Sequence, residues 1–262
     1  MTVLARLEAC IAQHWWTPPG VTVVDRPELC YLRSTVIPPL NLVLRLRAPR
    51  GHLERLVDEV HQAHRHAGSI CWVYPHHEGA ALEALLAKRG YAPGPGGDAR
   101  VLALCDAGPL AIGGVTVRPI ASLDDCYAAT AVSNAAFGQA RTYSDDDYRQ
   151  ILTLAQRAGA HRVQFLGRED QTGRAVCFGS LSVHPGEDFA VLLGGSTVPD
   201  FQGRGAYRAL LAARIEYARS CGVRWVGVFA DPKTSSPIVS RLGFERYGGR
   251  VRWVRPTPAP PA

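Results

Sequence analysis

"VPDFQGRGAYRALLAARIEYARSCG", residues 198–222, sets two glycines and two arginines at the point where a helical pattern begins. Leu210, Leu211, Ile215 and Ala218 recur at the spacing that puts them on one face of an α-helix. Glycine weakens helices, so two of them at the start of a good one need a physical reason. The first N–H groups of a helix have no partner inside it and carry the positive end of its dipole. Gly203 and Gly205 allow a tight bend and let a ligand approach with no Cβ in the way. Several N–H groups then converge on one point, which suits a phosphate, and Arg204 and Arg208 add positive charge nearby. The pattern alone is not specific, because a Gly-x-Gly at a helix start is as often a plain turn. Two phosphate motifs are excluded: there is no GxxxxGK[ST], and "GRGAYR" lacks the third glycine and acidic partner of a dinucleotide-binding unit.

Outward from this stretch the pattern alternates. "VTVRPI" (115–120) is an expected strand, and "SLDDCYAATAVSNAAF" (122–137) and "SDDDYRQILTLAQRAG" (144–159) are expected helices. Each helix opens on Ser followed three residues later by Asp, an approximate capping box. "RVQFLGRE", "AVCFGSLSVH" and "FAVLLGGSTV" give three strands in succession. After the glycine stretch and its helix come a strand "RWVGVFA", a helix ending at "RLGF" and a last strand "GRVRWVR". This is an α+β order, a mostly antiparallel meander followed by a β-α-β unit.

The first half repeats part of that order. "EVHQAHRHAGSICWVYP…LLAKRGY" parallels "RIEYARSCGVRWVGVFA…VSRLGF", and Trp72 to Gly90 and Trp225 to Gly243 both span 18 residues at an offset of 153. Two unrelated β-α-β units would also give this; tandem related domains account for both order and spacing. The small-residue segment "CDAGPLAIGG" (105–114) reads as the linker, and "PTPAPPA" at the end as a solvated tail. The expected division is 1–110, 111–255 and a disordered tail 256–262.

Composition sets the outer limits. The chain has 262 residues, 47% hydrophobic and 20% charged, as in an ordinary globular protein, and no apolar run reaches the roughly 18–20 residues of a membrane span. Seven cysteines without a CxxC pair point to reduced thiols in the cytoplasm. Of the net charge of +6, the first 110 residues supply +1 and the remainder +5, with no dense basic run. A small polyanionic ligand explains that excess, and nucleic acid is not expected.

Strand, "VPDFQGRGA", helix, strand, helix and "RLGFERYG" (241–248) together resemble the GCN5-related N-acetyltransferase superfamily. Its Gln/Arg-x-x-Gly-x-Gly/Ala motif matches Gln202-Gly203-Arg204-Gly205-Ala206-Tyr207, and the resemblance covers about 115–255. It implies an acyl-CoA N-acyltransferase fold, a mixed and mostly antiparallel sheet flanked by helices. Residues 1–110 resemble a second, degenerate copy, whose equivalent turn "APRGHLERL" (48–56) has one glycine and is not expected to bind cofactor. The resemblance further implies a bulge where Gly194-Gly195 stands, opening a slot for the pantetheine of acetyl-CoA. Ser196, Thr197 and Val198 would line the pantetheine, and Gln202, Gly203, Arg204, Gly205, Ala206, Tyr207 and Arg208 would surround the pyrophosphate. The implied chemistry is direct attack of an amine on the thioester, with a backbone N–H near Thr197 or Val198 stabilising the oxyanion.

The chain departs from the family pattern twice. Tyr207 replaces a small residue, so its ring must turn away from the phosphate or cover the cofactor. Val239 stands where the family has the tyrosine that protonates the departing thiolate. Ser235 and Ser236, one turn earlier, are the candidate catalytic donors, although "TSSP" is also an ordinary helix start. No general base is evident. His184, Glu187, Asp188 and Asp231 read as surface or capping residues, and the acids of 144–147 suit a helix dipole as well as a cationic amine. Of His61, His64 and His66 only the first two share a helical face, with no acid or Cys placed to complete a set, so no metal is expected. The leading reading is an acetyl-CoA-dependent N-acetyltransferase acting on an amine of a small molecule or peptide. The alternatives are a non-catalytic acyl-CoA-binding module and an aminoacyl-transferring relative that uses tRNA.

Overall fold

The computed structural model describes residues 2–12, 17, 20–35, 40–107, 114–156 and 162–257. Trp15, Trp16, linker residues 108–113, positions 157–159 of the second expected helix and the tail 258–262 lie outside them. In chain order the elements are α1 (Val3–Ala12), β1 (Val21–Arg26), β2 (Leu29–Ser34), β3 (Leu42–Leu46), α2 (Arg50–Ala63), β4 (Ser69–Val73), α3 (Gly79–Lys88) and β5 (Ala92–Ala103). They continue with β6 (Val115–Pro119), α4 (Leu123–Phe137), α5 (Asp145–Gln156), β7 (Arg162–Glu169), β8 (Ala175–His184) and β9 (Phe189–Thr197). The last are α6 (Ala206–Ser220), β10 (Trp225–Ala230), α7 (Ser235–Arg241) and β11 (Glu245–Arg255).

Two compact units share these elements. Met1–Arg100, Phe229–Arg241 and Arg246–Ala262 form the first; Val101–Val228 and Leu242–Glu245 form the second. The expected boundary at the 105–114 linker falls near one changeover, but α7 and most of β11 belong with the first unit.

In the second unit β6, β7, β8 and β9 pair antiparallel in succession, and β10 joins β9 in parallel. The parallel step follows from α6, which carries the chain back across the sheet between them. β8 is buried at eight of its ten positions. A strand without an exposed alternate face needs cover on both sides. Helices α4 and α6 pack on β8 and β9, and α6 turns Ala209, Leu210, Leu211, Ile215 and Ala218 inward. Both expected helix starts are built as read. Ser122 Oγ accepts the Asp125 N–H at 3.1 Å. Ser144 and Asp147 exchange bonds, Asp147 N–H to Ser144 Oγ at 3.2 Å and Ser144 N–H to Asp147 Oδ2 at 3.0 Å.

The first unit repeats that construction. β1, β2 and β3 pair antiparallel, α2 crosses over, and β4 joins β3 in parallel. β11 then pairs antiparallel with β4, from Val251↔Val73 to Arg255↔Ser69, and β5 lies beyond it in the strand order. Leu29, Val43, Leu53, Leu56, Val60, Val73, Leu82 and Leu86 make the core, and Trp253 from the last strand joins it. His64, one of the three histidines noted in the sequence, is a core residue with 1% exposure. Its Nε2 meets Leu32 O at 2.8 Å and its Nδ1 meets Ser69 Oγ at 2.7 Å, while the Tyr91 hydroxyl donates to the same Oγ at 2.8 Å. His61 contacts Arg255 and His66 contacts Arg65, so the three do not converge.

Candidate functional site: the β9–α6 connection

The β8–β9 ladder slips where the two glycines stand. Ser180 pairs with Leu193 and Phe178 with Ser196, leaving Gly194 and Gly195 opposite Gly179 alone. Gly194 takes φ +57°, a left-handed conformation that the bulge requires and glycine supplies cheaply. The parallel register with β10 runs from Phe189↔Trp225 to Leu192↔Val228 and stops there, just short of the bulge. β3 carries the same irregularity. Cys30 pairs with Arg45 and Tyr31 with Val43, so Leu44 is the extra residue, and the β3–β4 register ends at Val43↔Cys71.

Beyond the bulge, hydrogen-bond alternation decides which groups are available. The Val198 N–H donates to Val176 O at 3.0 Å, which makes 176 and 198 a bonded pair. Cys177 and Thr197 are the next pair along, so the Thr197 N–H and C=O point away from β8. Of the two oxyanion donors read from the sequence, Val198 is committed to the ladder and Thr197 is the one turned outward. Thr197 is 9% exposed, and its Oγ1 has no hydrogen-bond partner. A buried hydroxyl without a partner costs free energy unless a ligand or water meets it. Ser196 is closed off, its Oγ donating to Phe178 O at 3.2 Å.

The turn into α6 is held by Gly203 at φ +78° and Gly205 at φ +88°. Gly205 is the N-cap, and no side chain caps the helix; the first bond into it is Ala209 N–H to Gly205 O at 3.0 Å. The N–H groups just ahead are therefore offered outward. A Cβ on Gly203 would meet nothing within 4 Å, so the approach is open. Gln202, Arg204 and Arg208 are exposed around it, with the Arg204 guanidinium over the Phe201 ring at 5.1 Å. Asp200 points its charge elsewhere, pairing with Arg174, which holds its carboxyl below the usual range. In the first unit the matching position is Pro49, the N-cap of α2, which has no N–H to offer.

Tyr207 resolves one departure from the family pattern. Its ring lies over the bulge: a Cβ on Gly195 would come within 2.8 Å of Tyr Cε2. The bulky residue on the helix is thus matched by a glycine on the strand. Beneath them lies Arg214, which no motif in the sequence marks. It is 1% exposed and makes no ion pair with a carboxylate among the described residues. Its Nη1 donates to Ser180 O at 3.1 Å and to Leu193 O at 3.4 Å, and its Nε to Leu210 O at 3.1 Å. Ser180 and Leu193 flank the bulge, so the guanidinium serves carbonyls where the ladder is interrupted. Burial lowers its pKa, with Tyr207 and Cys177 nearby opposing that shift. The one signal in the sequence was an arginine in register with Leu210, Leu211 and Ala218.

The remaining candidates have partners of their own. Asp188 takes the Arg224 N–H at 2.7 Å and its Nε at 2.6 Å. Asp231 accepts the N–H groups of Lys233 and Thr234 at 2.8 and 2.9 Å, as a helix-start acid does. Ser235, Ser236 and Val239 lie in the first unit. Ser235 Oγ accepts the Asp231 N–H at 2.9 Å, a bond that leaves its own hydrogen to donate. Ser236 is 2% exposed, donating to Asp98 Oδ2 at 2.9 Å and accepting from Arg100 Nε at 2.7 Å. Val239 is fully buried.

A bulged strand parting from its parallel neighbour, followed by a glycine-led, uncapped helix start, defines the acyl-CoA N-acyltransferase fold. The comparisons agree. Residues 127–244 match the acetyltransferase (GNAT) family. A GCN5-related N-acetyltransferase from Kribbella flavida superposes with a TM-score of 0.72 at 16% identity, over 98% of this chain and 96% of that one. A tandem GNAT protein from the clavulanic acid biosynthesis pathway gives 0.62 at 19% identity, over 98% and 96%. In sequence, a mycothiol acetyltransferase of Pseudarthrobacter chlorophenolicus is 30% identical over 217 residues, 76% of this chain and 64% of the relative. The chain thus spans less than two thirds of that relative's length.

Proposed function

We propose that the chain transfers an acetyl group from acetyl-CoA to a primary amine, with β9 and the start of α6 holding the acetyl donor. The observation that carries this reading is the juxtaposition on one connection of the Gly194–Gly195 bulge, the orphaned Thr197 hydroxyl and the uncapped turn at Gly203–Gly205. The backbone groups of Thr197, which point away from β8, would meet the pantetheine, with Ser196 and Val198 on either side. Residues 202–208 would surround the pyrophosphate, with Arg204 and Arg208 supplying the charge. The Thr197 N–H would stabilise the oxyanion as the amine adds to the thioester carbonyl. The name of the mycothiol acetyltransferase relative favours a small-molecule acceptor over a peptide.

Residues 1–110 would then be a copy that kept the bulge and crossover but lost the glycine turn. None of the seven cysteines is in a disulfide, which fits a reducing cytoplasm, and no described helix is long and apolar enough to cross a membrane. A second reading, a non-catalytic acyl-CoA-binding module, is favoured by Val239 in place of a donor. Calorimetric titration with acetyl-CoA, followed by a thiol-release assay against pooled amines, tests both. Binding with amine-dependent thiol release supports the enzyme, binding alone supports the module, and no binding refutes the site.

A further inference from the structure

Outside the β9–α6 connection, one group of side chains in the first unit converges without serving any chemistry described so far. Glu8 lies on α1, and His76 and His77 lie just after β4. The Glu8 carboxylate is 1% exposed, yet both imidazoles reach it: His76 Nε2 stands 2.7 Å from Oε1 and His77 Nε2 2.9 Å from Oε2. All three donor atoms fall within 4.8 Å of one another.

We propose that Glu8, His76 and His77 form a binding site for a divalent transition-metal ion of the zinc type. Two neutral imidazoles and a carboxylate are the nitrogen and oxygen donors that such ions take. Two imidazoles converge on the two oxygens of one buried carboxylate, with His76 Nε2 2.7 Å from Oε1 and His77 Nε2 2.9 Å from Oε2. Donors on a tetrahedral zinc sit about 3.3 Å apart for bonds near 2.0–2.1 Å, so the group needs to open by roughly half an ångström. Both histidines are partly exposed, at 38% and 26%, which provides that freedom and an entry path.

The surroundings orient the donors. The rings lie 4.0 Å apart between centroids, and Tyr74 packs edge-on against both. The His77 N–H donates to Tyr74 O at 3.0 Å, fixing the turn. Arg47 Nη2 holds Oε2 at 2.9 Å and so sets the carboxylate's rotation while leaving Oε1 free for the ion. Water or an exogenous ligand would complete the coordination on the exposed side.

The test uses the full chain stripped with a chelator and then titrated with Zn2+ against a chromophoric competitor. One tightly bound ion per chain is expected, and Co2+ in its place should give d–d absorption of a nitrogen/oxygen site. Single His76→Ala and His77→Ala variants should weaken the ion by more than the about 10–100-fold that follows loss of an outer partner. Because Glu8→Gln alters a buried group, the partly exposed double histidine variant carries the decision, with circular dichroism checking its fold. The proposal is overturned if the wild type takes up no stoichiometric Zn2+, or if the folded double variant binds it equally well.

Discussion

Gly203→Ala separates the turn's conformational requirement from its proposed role as an anion cradle. Gly203 has φ +78°, and a Cβ there would touch nothing within 4 Å; Gly222, just past the end of α6, has φ +75° and equally open surroundings. Alanine at either position therefore pays the same left-handed backbone cost, about 1–2 kcal/mol, with no steric component. The two variants should lose similar stability in thermal or urea unfolding. They should differ in affinity for acetyl-CoA. The Gly203 methyl occupies the space through which a phosphate reaches the N–H groups, and a hydrogen bond to a charged group is worth about 1.5–3 kcal/mol. At about 1.4 kcal/mol per factor of ten, Gly203→Ala should bind roughly 10–100-fold more weakly by calorimetry, while Gly222→Ala binds like wild type. Equal affinities in two equally destabilised variants would refute the cradle.

Arg214→Met keeps most of the volume but removes the hydrogen bonds to the Ser180 and Leu193 carbonyls, each from a charged donor and worth about 1.5–3 kcal/mol, against the relief of a desolvated cation. A net loss of about 1–3 kcal/mol is expected in urea unfolding, and equal or greater stability would show that the guanidinium does not hold the bulge. His64 is buried as the neutral form with its pKa lowered to about 4, so its stabilising contribution is complete above about pH 6.5 and drains away as pH falls toward 4. The loss is about 3 kcal/mol at 1.36 kcal/mol per unit; urea midpoints at pH 7 and 4.5 should differ less in His64→Phe than in wild type, and an equal difference in the two would dismiss His64 as the cause. Ser236→Ala, which breaks the Asp98–Arg100 link, should cost about 1–3 kcal/mol of stability in urea unfolding.

Local signals carried much of the fold. β7, β8 and β9 fall on the three apolar runs read from the sequence, and Ser122 and Ser144 cap the helices that their spacing to Asp announced. Gly194-Gly195 marked the bulge because few residues other than glycine tolerate its dihedrals. What stayed hidden was long-range. Nothing in "GRVRWVR" says that it pairs with β4, because strand partners are chosen by tertiary packing and not by local pattern. Arg214 was invisible because a lone arginine on an apolar helix face normally reaches solvent, and only the interrupted β8–β9 ladder supplies carbonyls to hold it inside. Glu8 stands 68 residues from His76, too far for any motif to join them.

The place of β11 in the first unit's strand order imposes a timetable on synthesis. β4 is complete once residue 73 has emerged, yet the strand that covers its edge ends at residue 255. At the usual about 5–20 residues per second, ribosomes take roughly 9–36 s to make the intervening segment. Throughout that interval the N–H and C=O groups along one side of β4 face whatever is nearby, while Val43, Val73 and Leu86 wait for Trp253. The first unit begins before the second but cannot finish until after it. A nascent chain of this design needs either a holding chaperone or a slow, open-edged intermediate, and stalling late in translation would leave the earliest-made sheet the most prone to aggregate.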